Sequence, residues 1–260
     1  TASQLITVNQ NPTISFSGDT TICENESTTL TASGGNQYSW NTGETNNSIS
    51  VSPHVGQTTY NVTVTNSTTQ CSSNSTITVT VYANPNASAG NDTTICLGTS
   101  AQLNASGGIS YQWFPTSTLN SSSIASPLAT PSDTTTYSVI VTNAQGCKDT
   151  ANITVNVAKI NNINIVSTPV SCPEGHDGSV AITNISGVLP LSYNWGTSTG
   201  NSISNLSSGV YTVTITDGIG CSYTYSSTVT EPSPFIGTTN IQNVSCYNGN
   251  NGAITINVTG

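Results

Sequence analysis

Apolar and polar residues alternate in short runs along this chain, and the runs return in a fixed order. Tyr60-Asn61-Val62-Thr63-Val64, Tyr137-Ser138-Val139-Ile140-Val141 and Tyr211-Thr212-Val213-Thr214-Ile215 are one series. Ile77-Thr78-Val79-Thr80-Val81 and Ile153-Thr154-Val155-Asn156-Val157 are a second. A period of two places one set of side chains in a core and the other in water, which predicts half-buried strands. Gly, Asn, Ser and Pro clusters such as Ser33-Gly34-Gly35-Asn36, Ala105-Ser106-Gly107-Gly108 and Thr216-Asp217-Gly218-Ile219-Gly220 separate the runs and supply turns. No segment keeps a 3.6-residue apolar period, so the pattern predicts an all-β chain.

The cysteines carry the same register. Cys23, Cys96, Cys172 and Cys246 are 73, 76 and 74 residues apart, while Cys71, Cys147 and Cys221 are 76 and 74 apart. A Tyr-x-Trp triplet follows each of the first three: Tyr38-Ser39-Trp40, Tyr111-Gln112-Trp113 and Tyr193-Asn194-Trp195. Internal repeats of this length, with about seven short strands in each, predict tandem Ig-like or PKD-like β-sandwiches. The expected divisions are 1–10 as the last strand of a preceding domain, through Leu5-Ile6-Thr7-Val8, then complete sandwiches at 11–82, 83–157 and 158–232. Residues 233–260 are expected to start a further domain, because Cys246-Tyr247-Asn248-Gly249-Asn250-Asn251-Gly252 echoes Cys172-Pro173-Glu174-Gly175-His176-Asp177-Gly178. The array is expected to continue in both directions.

Interleaving of the two cysteine series suggests one disulfide per domain: Cys23 with Cys71, Cys96 with Cys147 and Cys172 with Cys221, leaving Cys246 for a partner outside 1–260. A loop of about fifty residues closed this way stabilises a domain by roughly 4 kcal/mol in the chain-entropy model, comparable to the net stability of a small sandwich. The Cys, Trp, Cys order resembles immunoglobulin domains. There, however, the second cysteine follows the corner tyrosine by two residues. Here it follows by 11, 10 and 10, beyond the strand.

Composition narrows the function. Only Lys148 and Lys159 are basic against eleven acidic residues, and the net charge is −9. Nucleic acid is excluded as a partner on that ground, since few cations are present to displace counterions from phosphate. Charged residues make up 5% of the chain, against roughly a quarter in ordinary soluble proteins, and Ser, Thr and Asn fill the polar surface. No apolar run approaches the ~20 residues of a membrane span, so no membrane insertion is expected. Paired cysteines imply an oxidising, extracellular compartment. Two lysines are too few for a Lys–Asn isopeptide cross-link in every domain.

Residues 172–232 resemble the SprB-type repeat of gliding-motility adhesins in Bacteroidetes. The likeness runs through Cys172 to Val180, Leu191-Ser192-Tyr193-Asn194-Trp195, Gly209-Val210-Tyr211-Thr212-Val213, Gly220-Cys221 and Val229-Thr230-Glu231-Pro232. Residues 241–260 start another of the kind. Residues 11–157 resemble the Ig-like or PKD-like repeats of the same giant surface proteins, through Gly18-Asp19-Thr20-Thr21-Ile22-Cys23 and Asn91-Asp92-Thr93-Thr94-Ile95-Cys96. The resemblance implies type IX secretion, display on the cell surface, and a gliding and secretion machinery and surface polysaccharide as partners beside the adjoining domains.

Candidate sites are few. Trp40, Trp113 and Trp195 recur at one structural position, which predicts core anchors rather than a sugar-stacking platform, and Tyr60, Tyr137 and Tyr211 are expected as core or corner tyrosines. Asp19, Asp92, Asp133 and Asp149 precede Thr-Thr or Thr-Ala, a pattern that resembles the O-glycosylation sequon of Bacteroidetes, with Thr20, Thr93, Thr134 and Thr150 as acceptors. The competing reading is an Asp-capped turn before a strand. Asp177, alone or with Asp217, offers too few oxygens for calcium. His54 and His176 fall in loops of different domains with no marked nucleophile. No metal, cofactor or catalysis is expected. The expected function is a structural stalk of a secreted adhesin; the alternatives are a carbohydrate-binding module array of a polysaccharide-degrading enzyme and a subunit of an extracellular filament or sheath.

Overall fold

The alternating runs fold as strands. A computed structural model describes residues 4–260, and among these every regular element is a β-strand. The first sandwich comprises β1 (Ser15–Ser17), β2 (Thr21–Cys23), β3 (Thr28–Ser33), β4 (Gln37–Trp40), β5 (Ser48–Val51), β6 (Gly56–Thr65) and β7 (Ser72–Tyr82). One sheet has the order β1-β3-β5 and the other β2-β7-β6-β4. The β6–β7 ladder is the longest, from Gly56 opposite Val81 to Thr65 opposite Ser72. In β6 the alternation points Tyr60, Val62 and Val64 inward, where they meet Leu30, Ala32, Trp40, Ile49, Val79 and Val81. The short strand β2 joins the edge of β7 in parallel, with Cys23 opposite Tyr82.

The second sandwich contains β8 (Thr93–Cys96), β9 (Ala101–Gln102), β10 (Ser110–Phe114), β11 (Leu128–Ala129), β12 (Thr135–Thr142) and β13 (Lys148–Ala158). Its sheets are β11-β9 and β10-β12-β13-β8, and an isolated bridge between Ser88 and Ser106 stands where β1 meets β3 in the first. Trp113, Tyr137, Leu103, Val139, Val141 and Val155 are fully buried. The third contains β14 (Asn161–Thr168), β15 (Gly178–Ser186), β16 (Ser192–Asn194), β17 (Ser202–Leu206), β18 (Gly209–Thr216) and β19 (Ser222–Val229), in sheets β14-β15-β17 and β16-β18-β19. A final pair, β20 (Ile236–Gln242) and β21 (Ala253–Thr259), is antiparallel and leaves Ile236, Ile241, Ile254, Ile256 and Val258 exposed. By contacts the chain divides into two compact units, residues up to 93 with 100–155, and 94–99 with 156–260.

Leu5-Ile6-Thr7-Val8 make no ladder with another described segment. Leu5, Ile6 and Val8 are 91%, 85% and 85% exposed.

The paired glycines between the second and third core strands have separate tasks. Gly107 has φ +104°, and a Cβ there would stand 2.0 Å from the Asn86 carbonyl oxygen; at Gly108 it would meet the Thr142 carbonyl and Val141, both at 2.5 Å. Gly34 and Gly35 repeat this against Thr13 and against Val64 and Thr65. The chain crosses between sheets here and is touched from both sides. Gly107→Ala is therefore expected to destabilise the second sandwich by more than the ~1–3 kcal/mol of backbone strain alone. Gly146→Ala measures that strain separately, having φ +88° but open space. Denaturant midpoints of the two variants check the order.

Candidate functional site

The features that distinguish this chain lie where its cysteines are placed. The first cysteine of each pair of Ig-like sandwiches ends a short edge strand. In the first sandwich Cys23 lies beside Tyr82, Glu24 N–H donates to the Tyr82 carbonyl at 2.8 Å, and Cys23 N–H donates to Glu26 Oε2 at 2.9 Å. In the second, Leu97 N–H donates to the Ala158 carbonyl at 3.0 Å, which repeats the arrangement.

The second cysteine sits at the turn between the last two strands, held by an Asx residue. Asn143 Oδ1 accepts from Gln145 N–H at 3.1 Å and Cys147 N–H at 3.0 Å, and its backbone N–H donates to the Cys147 carbonyl. Asp217 does the same for Ile219 at 3.1 Å and Cys221 at 2.9 Å. In the first sandwich the equivalent Asn66 caps Thr68 and Thr69, and its N–H donates to the Cys71 carbonyl. Cys147 and Cys221 are 1% exposed.

The disulfides join these positions across sandwiches. Cys23 is bonded to Cys147, with Cα atoms 5.6 Å apart and a sequence separation of 124, and Cys96 to Cys221, with 5.4 Å and 125. The pairings Cys23–Cys71, Cys96–Cys147 and Cys172–Cys221 are thereby corrected. Cys71 immediately precedes Ser72 at one end of β7, while Cys23 lies opposite Tyr82 at the other. Ten residues of strand separate the two ends by ~33 Å. A disulfide requires Cα atoms within about 7 Å. The third sandwich repeats the geometry: Cys221 precedes β19, and Val170 N–H, near Cys172, bonds the Thr230 carbonyl beyond its far end. Cys71, Cys172 and Cys246 are unbonded.

Each junction has further polar ties. Asn143 Nδ2 donates to the Ala83 carbonyl at 2.9 Å, and Cys147 Sγ lies 3.9 Å from the Tyr82 carbonyl. Tyr223 Oη donates to the Ala158 carbonyl at 2.7 Å. The turn of one sandwich is thus fastened to the segment by which the chain leaves the sandwich before it.

The other candidates occupy structural places. Trp40 and Trp113 are buried and Trp195 is half-buried; their indoles donate to the carbonyls of Asn46 at 2.9 Å, Ile124 at 3.0 Å and Gly200 at 2.9 Å. Tyr211 Oη reaches the Ser207 carbonyl at 3.0 Å and Tyr137 Oη meets the Thr118 hydroxyl. Burial raises the Tyr60 phenol above its usual pKa. The tyrosines of the Tyr-x-Trp triplets, which the sequence did not single out as backbone anchors, bond the Gly35 and Gly108 carbonyls through Tyr38 and Tyr111, at 2.7 and 2.8 Å. Thr20, Thr134 and Thr150 are exposed and Thr93 is half-buried in β8. Asp92 accepts from Thr154 N–H at 2.7 Å, and Asp149 from Ala87 N–H at 3.1 Å and Thr150 N–H at 2.8 Å. His54 is exposed, and His176 Nδ1 is 2.7 Å from Ser207 Oγ. Asp177 closes its own loop by accepting from Ser171 N–H at 3.0 Å, as Asn251 does from Ser245. A cleft of 410 Å³ is lined by Asn36, Gln37, Tyr38, Ser39, Thr45, Thr63 and Thr65, with no carboxylate, imidazole or thiol among them.

A family model described as an Ig-like domain, CHU_C associated, matches residues 84–159. That stretch is the second sandwich. No curated protein matches the chain. Among solved structures it is similar to an I-band fragment of titin, at 13% identity over 87% of this chain and 100% of that one, with a TM-score of 0.42. It is also similar to extracellular domains 3–5 of Drosophila OTK (13% identity, 86% of this chain, 96% of that one, TM-score 0.34). A third is the N-terminal eight Ig domains of Down Syndrome Cell Adhesion Molecule (12% identity, 89% and 38%, TM-score 0.38). The chain is an all-β array of sandwiches with disulfides, and its second sandwich matches an Ig-like domain model.

Two outcomes follow from the junction turns. Asp217 is 5% exposed and its Oδ2 has no hydrogen-bond partner, where Asn143 presents a donor. Asp217→Asn is expected to stabilise the third sandwich by about 1–3 kcal/mol by relieving an unsatisfied buried acceptor, and Asn143→Asp to destabilise the second; denaturant titration measures both. Hydrogen bonds from the Ser171 side chain, then its backbone, hold the Asp177 carboxyl below its ordinary pKa. A depressed folded-state pKa stabilises above the unfolded-state value and loses that contribution as pH falls through the folded-state one. Asp177→Asn should therefore flatten the acid limb of the third sandwich's stability, read from unfolding midpoints below the usual carboxylate range.

Proposed function

We propose that the chain is a non-catalytic stalk segment of a large secreted adhesin, exposed on a bacterial cell surface. The observation that carries this reading is the disulfide from the edge strand of one sandwich to the turn of the next, since a cross-link at both junctions between the three sandwiches suits a part that transmits load between domains. A loop of 124 residues closed by one bond stabilises by about 5 kcal/mol in the chain-entropy model. Both bridges require an oxidising compartment, in keeping with an extracellular site. Burial of Trp40 and Trp113 speaks for core anchors and against an array of sugar platforms.

The likeness of 172–232 to SprB-type repeats supports gliding motility and type IX export as the setting. Surface polysaccharide and the gliding machinery are then the partners, engaged elsewhere in the parent protein. O-linked sugars on Thr20, Thr93, Thr134 and Thr150 belong to the same reading, the exposed Thr20, Thr134 and Thr150 being the more accessible.

Proteolytic shaving of intact cells tests the location, and a glycan array tests the role. Peptides from this segment are expected in the shaved fraction, and the purified 260-residue chain should bind no glycan. Glycan capture by this chain alone, or recovery of the parent only from inside the cell, would overturn the stalk reading.

A further inference from the structure

Three cysteines are left over, and each stands where an equivalent cysteine is bonded. Cys71 is the turn cysteine of its sandwich, as Cys147 and Cys221 are of theirs. Cys172 and Cys246 correspond to Cys23 and Cys96. A separate observation bears on Cys71. Its Sγ lies 3.8 Å from the Asn9 carbonyl, as Cys147 Sγ lies 3.9 Å from the Tyr82 carbonyl. Tyr82 is the residue beside Cys23, and Ile6-Thr7-Val8-Asn9 aligns with Val79-Thr80-Val81-Tyr82. Cys71 is held against the incoming chain just as its bonded counterpart is.

We propose that Cys71, Cys172 and Cys246 are rungs of a continuing disulfide ladder, in which the first cysteine of every domain bonds the turn cysteine of the next. With the observed separations of 124 and 125 as the rule, Cys71 pairs with a cysteine about 125 residues before it, and Cys172 and Cys246 with cysteines about 125 residues after. Each rung forms as one Sγ–Sγ bond replaces two S–H bonds. The two electrons and two protons pass to the disulfide of a thiol–disulfide exchange partner, whose S–S bond breaks to give a dithiol.

The ladder has a mechanical consequence that one bridge per domain lacks. Cys71 to Cys96, Cys147 to Cys172 and Cys221 to Cys246 are each 25 residues. Two covalent paths result. One runs through Cys71, Cys96, Cys221 and Cys246, the other through Cys23, Cys147 and Cys172. Along either path only 25 residues of backbone lie between bridges that together advance by two domains. At ~3.5 Å per extended residue that segment reaches roughly 90 Å, whereas the same two domains without bridges reach roughly 500 Å. Loss of a rung in one path leaves the other intact. Bridges within single domains would put all load on one path, with 25 extensible residues in every domain rather than in every second one.

The inference rests on the array continuing on both sides, as the stalk reading does, but its readout is independent of location and adhesion. Alkylation of the purified, oxidised and denatured 260-residue chain is expected to label three thiols, Cys71, Cys172 and Cys246; bridges within domains would leave Cys246 alone. In Cys147→Ser the newly labelled thiol is expected to be Cys23, not Cys96. Non-reducing digestion and mass spectrometry of the parent protein from its native cells should join Cys71, Cys172 and Cys246 to cysteines about 125 residues away. One labelled thiol in the chain, or free thiols or cross-links between separate molecules at these cysteines in the parent, would overturn the ladder.

Discussion

A disulfide joins Cα atoms within about 7 Å, and a ten-residue strand spans ~33 Å. The last strand of each sandwich sets the turn cysteine at one end and the edge-strand cysteine at the other, so the two cannot meet within a domain. Cys23 and Cys96 instead bond the turn cysteine of the following sandwich. The final strand is in effect a spacer between consecutive rungs, and its length matters more to the covalent plan than the cysteine count does. Burial of Val79, Val81 and Val155 keeps that strand in register and holds the spacing constant.

The low charge of the chain fits the same architecture. On the wet faces, strands are tied by paired hydroxyls where other proteins place ion pairs: Thr59 with Thr78 at 2.9 Å, Thr136 with Thr154 at 3.1 Å, Thr31 with Ser48 and Thr216 with Ser222 at 2.8 Å. Such cross-strand pairs contribute a few tenths of a kcal/mol to about 1 kcal/mol each, and unlike surface ion pairs they are insensitive to salt. A surface assembled from Ser, Thr and Asn keeps the β-branched preference for strands while staying polar. Threonine in particular serves both needs at once.

Much of this was legible in the sequence. The two-residue alternation marked β6, β7, β12, β13 and β18, because a half-buried strand imposes its period directly on the residues. The repeated Tyr-x-Trp triplet marked tryptophans that are buried in the first two sandwiches and half-buried in the third, and the Gly-Gly clusters were legible as turns but not as crossings between sheets. The disulfide pairing was not legible, since it depends on β2 lying parallel to the end of β7, a contact between segments about sixty residues apart that leaves no periodic trace. Cysteine counting favoured neighbours in sequence, whereas strand geometry forbids them. The 25-residue interval was visible throughout, yet it acquires meaning only when the last strand is known to hold its two ends apart.

The two repeat types differ most in their opening strands and least at their junctions. In the first sandwich the chain switches sheets at Gly18, so that β1 pairs with β3 and β2 with β7; in the third, one long strand, β14, stays with β15. The residues that present the turn cysteine nevertheless match: Asn66, Asn143 and Asp217 each close the turn through an Asx side chain and donate their own N–H to the cysteine carbonyl. A domain can therefore change its first strand without losing its place in the covalent chain, provided it keeps that turn and the length of strand after it. Shared junction chemistry is thus the physical condition under which unlike repeats are able to stand in one array.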